Sequence, residues 1–144
     1  DCILLAGRYT LLDQSALAGL LPHCEKKDIA VVLGGPFNSG VLATGLGDAA
    51  RYDYGKVPDE IAVRVKRIEE TCLRHDVDLR AAALQFPLAH PAIAGVIPGA
   101  VSPDELTGNL ASLTAKIPDA FWSELVEQGL IDPGAPLPQT TGRE

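Results

Sequence analysis

Residues 93–105 run Ile93-Ala-Gly-Val-Ile97-Pro-Gly-Ala-Val-Ser102-Pro-Asp-Glu105. Ile93 to Ile97 is a continuous apolar run without alternation, the pattern of a strand covered on both faces in a parallel sheet. Pro98 and Gly99 turn the chain. Ser102, Pro103 and Glu105 then fall at N-cap, N1 and N3, a capping box that opens a helix to about Leu113. A strand, a short turn and a helix in direct succession form half of a βαβ unit.

Two more runs of the same kind lie upstream. Ile29-Ala-Val-Val-Leu33 is β-branched and ends on Gly34-Gly35-Pro36, and Cys2-Ile-Leu-Leu-Ala6 is apolar from its second residue. Between these two runs, Asp13 is placed to cap a helix over Gln14–Lys27, with Leu17, Leu20, Leu21 and Cys24 on one face. Pro22 predicts a kink in it, or two short pieces. Pro58 opens a helix to about His75 with an apolar stripe of Ile61, Val65, Ile68 and Cys72. Asp78 caps a short apolar helix from Leu79 to Leu88. Pro118 starts the last helix, through Gln128, which Gly129 terminates. Trp122 stands at helical spacing from Leu125 and Val126 and reads as core. Strands alternating with helices predict parallel βαβ units with right-handed crossovers. An open doubly wound sheet and part of a (β/α)8 barrel both fit that order.

The composition narrows the function classes. The chain has 144 residues, 47% hydrophobic and 22% charged, which suits one globular domain. A net charge of −7 disfavours binding to nucleic-acid phosphates, so no nucleic-acid partner is expected. Apolar stretches are too short for a membrane span, and without a basic n-region at residue 1 no signal peptide is expected. With 3 cysteines and no C-x-x-C pair, the expected compartment is the reducing cytoplasm. A strand at residue 2 with no lead-in raises the expectation of a C-terminal part, completed by an N-terminal segment.

Two segments could carry chemistry. Gly34-Gly-Pro-Phe37-Asn38-Ser39-Gly40 follows a strand directly, where parallel α/β folds bind ligands. Glycine lets backbone N–H groups approach a phosphate, and Asn38 and Ser39 add short donors. The loop continues to Val57, long enough to be functional or mobile. Within it Gly45-Leu-Gly-Asp-Ala-Ala50 fits G-x-G-x-x-A, but no strand precedes it and no helix opens there. The second segment is the turn and helix start at Pro98–Glu105, with free N–H groups and a positive dipole end beside the sheet mouth. Metal sites do poorly. His23 with Cys24, and Cys72 with His75, lack partner pairs at zinc-ligand spacing, so no metal is expected.

With these pieces in place, the chain resembles the C-terminal part of an aldo-keto reductase. Leu5-Ala-Gly-Arg-Tyr-Thr-Leu-Leu12 resembles the sixth barrel strand and its exit. Val31-Val-Leu-Gly-Gly-Pro-Phe-Asn-Ser-Gly-Val-Leu42 resembles the seventh strand and the pyrophosphate loop. Val96-Ile-Pro-Gly-Ala-Val-Ser-Pro-Asp-Glu-Leu-Thr-Gly-Asn109 resembles the eighth strand and the helix at the adenosine end. The wording is close to the sugar and aldehyde dehydrogenase branch of that family.

The resemblance implies an α/β fold, a TIM (β/α)8 barrel, of which this chain is the last three strands (sixth to eighth) and their helices. Residues 1–144 would be the C-terminal part of a single barrel domain, with 132–144 as a tail. It implies an NAD(P)-dependent oxidoreductase moving hydride between nicotinamide and the carbonyl or lactol carbon of an aldose or small aldehyde. The family's catalytic tyrosine, lysine, aspartate and histidine sit on earlier strands, so no catalytic residue is expected here. Gly35, Phe37, Asn38 and Ser39 would face the cofactor pyrophosphate. Gly99, Ala100, Val101, Ser102, Glu105 and Asn109 would surround the adenosine, and Tyr9 would touch substrate.

The chain also departs from the family pattern. Gly34 stands where many members stack a tyrosine on the nicotinamide, and Ala6 where many hold the carboxamide with glutamine. Gly99 and Glu105 replace the lysine and arginine that grip a 2′-phosphate, so NAD is expected over NADP. The rival expectation is a non-enzymatic α/β nucleotide-binding or assembly module sharing these loops.

Overall fold

In a computed structural model that describes residues 1–139, one sheet holds three parallel strands in sequential order. They are β1 (Cys2–Ala6), β2 (Ala30–Gly34) and β3 (Ile93–Ile97). Leu4 lies opposite Val32, and Val32 opposite Gly95. The register slips between Val31 and Val32, so Ala94 is the extra residue of a bulge.

The helices are α1 (Leu20–Lys26), α2 (Val41–Thr44), α3 (Asp59–His75), α4 (Leu79–Leu88), α5 (Pro103–Thr114) and α6 (Asp119–Glu127). The predicted caps form. Asp78 accepts from the Ala81 N–H at 2.9 Å, and Ser102 Oγ from the Glu105 N–H at 3.2 Å. The helix expected over Gln14–Lys27 is indeed in two pieces, but it parts at Gly19 rather than Pro22. A 3-10 turn covers Ser15–Ala18, and Pro22 sits in the first turn of α1, where a missing N–H is harmless. Asp13 stands one residue before the N-cap, Gln14, and accepts from the Ser15 N–H at 2.9 Å and its hydroxyl at 2.6 Å, closing the turn that leads into the 3-10 piece. The short α2 lies inside the stretch expected to be pure loop.

The strands correct one expectation, that each is buried on both faces. Val31, Leu33 and Ile93 point to the helices and are buried, whereas Leu4 and Ile97, on the other face, are 68% and 55% exposed. Helices cover only one side of the sheet, and nothing among the described residues covers the other. The core lies between sheet and helices. Its aromatic spine runs from Tyr9 to Phe86 (ring centroids 5.1 Å apart), to Trp122 (6.4 Å) and Phe121 (4.9 Å).

Past α6 the chain stays anchored. The Gln14 amide donates to the Leu130 carbonyl at 3.2 Å and accepts from the Asp132 N–H at 2.8 Å. Leu130, Ile131 and Ala135 are buried. The expected tail, 132–144, therefore packs at its start, and its last residues, 140–144, lie outside the described residues. No helix of the described residues is long and apolar enough to cross a membrane.

Candidate cofactor site

A cavity of about 690 Å³ opens at the carboxyl ends of the strands. That volume is in the range of small-molecule and cofactor sites. Ala6 and Gly7 bring the end of β1 to it, Gly35 to Gly40 the exit of β2, and Gly99 to Val101 the exit of β3. The strand ends are tied together, since the Gly7 N–H donates to the Gly34 carbonyl at 2.9 Å.

The loop after β2 folds back on itself. Asn38 N–H donates to the Gly35 carbonyl at 3.1 Å and Gly40 N–H to the Phe37 carbonyl at 3.0 Å. Asn38, Ser39 and Gly40 all have positive φ (46°, 61° and 101°), a succession that turns backbone N–H groups toward one concavity. The N–H groups of Phe37 and Ser39 take no part in the loop's own bonds. Ser39 Oγ accepts from the Tyr54 N–H at 3.0 Å, which fastens the tight turn Tyr52–Gly55 to the rim of the cavity. Asn38 is buried; its Nδ2 lies 3.5 Å from the Gly7 carbonyl, and its Oδ1 has no partner among the described residues.

On the opposite wall, Asn109 is buried and its Nδ2 lies 3.4 Å from the Gly99 carbonyl, bracing the exit of β3 against α5. Glu105 Oε2 accepts from the Val101 N–H at 2.9 Å. The carboxylate thus reaches one residue beyond the N-cap and closes the turn that Ser102 begins.

The fold brings nearly all the residues expected around the cofactor to this cavity. Gly35, Phe37, Asn38 and Ser39 line one side, and Gly99, Ala100, Val101, Glu105 and Asn109 the other. Ser102 does not line it, because its hydroxyl is turned to the helix N–H of Glu105. Tyr9 does not reach it either. Its ring is fully buried between Phe86 and His90, and its hydroxyl has no partner among the described residues. The expected substrate contact at Tyr9 is therefore corrected: the side chain turns to the helix layer, away from the strand ends. Burial first, then the charge of Asp132, raises the Tyr9 hydroxyl pKa above its ordinary value and keeps it neutral.

Sequence reading missed Ala43 and Thr44 of α2 and, among the charged and aromatic lining residues, Asp53, Tyr54 and Arg80. Asp53 and Tyr54 sit in the glycine-rich loop without any local motif. Arg80 carries a faint signal, a cation in the first turn of a helix, where the dipole disfavours it. The two Cys/His pairs go elsewhere. Cys72 is buried, its thiol pushed up to about 12 chiefly by burial, and His75 Nε2 lies 2.6 Å from Glu124 Oε2. Among the described residues no cluster of three His, Cys, Asp or Glu could hold a metal.

The Aldo/keto reductase family model matches residues 1–129. The chain belongs to that family. It is 44% identical over 131 residues to a pyridoxal 4-dehydrogenase of Microbacterium luteolum, covering 91% of this chain and 38% of the relative. It is 43% identical over 132 residues to a D-threo-aldose 1-dehydrogenase of a Pseudomonas species, covering 91% of this chain and 40% of the relative. The chain thus spans about two-fifths of the length of these curated relatives. An aldo-keto reductase of Bacillus halodurans, in its holo form, superposes with a TM-score of 0.66 at 24% identity over 99% of this chain and 44% of that one. The three strands and their helices are therefore a contiguous part of an aldo-keto reductase TIM barrel. The open inner face of the sheet, with Leu4 and Ile97 exposed, is the face a complete barrel would enclose.

Proposed function

We propose that the chain forms the last three strands of a barrel oxidoreductase and holds the nicotinamide dinucleotide of that enzyme in the cavity at the strand ends. The observation that carries this reading is the pairing of two walls. A loop of positive-φ residues, whose Phe37 and Ser39 N–H groups are unengaged among the described residues, shares a cavity of about 690 Å³ with the turn Gly99–Val101 and with Glu105 and Asn109 of α5. Residues 35–39 would bind the pyrophosphate through the backbone, as N–H cradles do. Gly99 to Val101, Glu105 and Asn109 would hold the adenosine half. NAD is proposed over NADP because the turn at Gly99 and the carboxylate of Glu105 supply no cation to a 2′-phosphate.

When bound, the cofactor would supply hydride transfer. The residues of this chain bind and orient it. The group that moves the substrate proton would come from a segment that completes the barrel. The names of the two relatives suggest the substrate class, the carbonyl or lactol carbon of an aldose or of a small aldehyde.

The test is calorimetric titration of the complete barrel with NAD. Ser39→Asp sets a negative charge beside the phosphates and is expected to weaken NAD binding about tenfold or more, equivalent to ~1.4 kcal/mol. Unchanged affinity would overturn the placement of the pyrophosphate.

A further inference from the structure

We infer that Arg80 is a phosphate-binding residue of this cavity, delivered from α4 rather than from either loop; this rests on the cofactor reading above. Arg80 lines the cavity together with Gly99, Ala100, Val101, Glu105 and Asn109. Its guanidinium makes no hydrogen bond or ion pair among the described residues, although other arginines do. Arg8 pairs with Asp13, Arg74 with Glu124, and Arg64 and Arg67 donate to carbonyls.

Two locally unfavourable choices meet at this point. Arg80 is the second residue of α4, where a cation opposes the helix dipole. Gly108 lies inside α5, where glycine is a poor helix former. A Cβ at Gly108 would stand only 3.0 Å from Arg80 Nη1. The bare backbone of α5 thus makes room for the guanidinium on the wall that carries Glu105 and Asn109. Neither residue is a favourable choice for its own helix, and together they place a fork of donors, unpaired among the described residues, in the lining of the cavity. Planar guanidinium groups suit phosphate oxygens, which they bind in bidentate fashion.

The phosphate could be the pyrophosphate common to both dinucleotides or the 2′-phosphate of NADP. If it is the latter, Arg80 opposes Glu105, and the cofactor preference is the balance of the two. Equilibrium binding of NAD and of NADP to the complete barrel separates the cases. Arg80→Ala should weaken both ligands about tenfold if the pyrophosphate is held, or NADP alone if the 2′-phosphate is. Arg80→Lys should recover only part of the loss, because the fork is gone. Gly108→Ala, which favours the helix, should shift the guanidinium and give a smaller loss of the same kind. Wild-type binding of both ligands with no change in the Arg80 variants would overturn the role of Arg80 alone. A wild-type barrel that binds neither dinucleotide would overturn the cofactor reading and this role with it.

Discussion

Glu105 accepts a hydrogen bond from the N–H of Val101 at 2.9 Å, across the turn that leads into α5. The same carboxylate thus closes the β3 exit and lines the cavity. In the proposed cofactor reading, a structural and a specificity role are joined in one side chain. Glu105→Gln keeps an acceptor for Val101 and removes the charge. It should leave the unfolding free energy nearly unchanged and raise kcat/KM for NADP relative to NAD. Replacing Glu105 by Arg together with Gly99 by Lys should move the ratio toward NADP by about tenfold or more. A ratio that does not move in either variant would place the adenosine elsewhere.

Tyr9 gives a stability test. Its hydroxyl is buried without a partner among the described residues, and an unpaired buried polar group is destabilising. Tyr9→Phe keeps the ring contact with Phe86, 5.1 Å between centroids. Stability should stay level or rise by about 1 kcal/mol. Steady-state constants for substrate should not change. A rise in KM without loss of stability would restore Tyr9 to the substrate site.

Gly45 is a position where the backbone disfavours any side chain. Its φ is +74°, and a Cβ there would meet the carboxylate end of the Glu69 side chain and push it aside. That carboxylate takes the Leu46 N–H at 3.4 Å and so holds the end of α2 against α3. Gly45→Ala should lower the unfolding free energy by about 1–3 kcal/mol through backbone strain and the displaced carboxylate. Denaturant titration measures it, and a neutral substitution would mean the loop relaxes freely.

Acid should lower the stability in two successive pH ranges. Burial lowers the pKa of His90 from 6.5, and its Nδ1 accepts the Ala92 N–H at 3.2 Å. The neutral ring is therefore the stabilising form. Its contribution is complete above the unfolded value and is lost as pH falls through the folded one. The Glu124 pKa is lowered from 4.5, first by its hydrogen bond with His75 and then by that with Arg74. This contribution is complete above 4.5 and is lost at lower pH, as the folded value is crossed. His90→Asn should flatten the first stage of a melting-temperature profile and Glu124→Gln the second. A profile unchanged by either would remove these groups from the acid transition.

The amino-acid sequence by itself determined what is local. The caps Asp78 and Ser102 act within one helical turn, so α4 and α5 begin where their residues say. The apolar runs Cys2–Ala6, Ile29–Leu33 and Ile93–Ile97 match β1, β2 (shifted by one residue) and β3, because each is short, rich in branched aliphatic residues and followed by a glycine-containing turn. The two candidate loops were legible because glycine and short polar residues directly after a parallel strand sit where such folds bind ligands. What only the tertiary structure decided depends on contacts far apart in the chain. Burial of Leu4 and Ile97 depends on what covers the sheet, not on their hydrophobicity, and they stand exposed. Tyr9 follows a strand as a ligand-binding residue would, yet the aromatic spine of Phe86 and Trp122 draws it into the core. Arg80 reaches the cavity only because α4 packs against α5 at a glycine. No spacing along the chain encodes that meeting, because two helices joined through a strand set it in space.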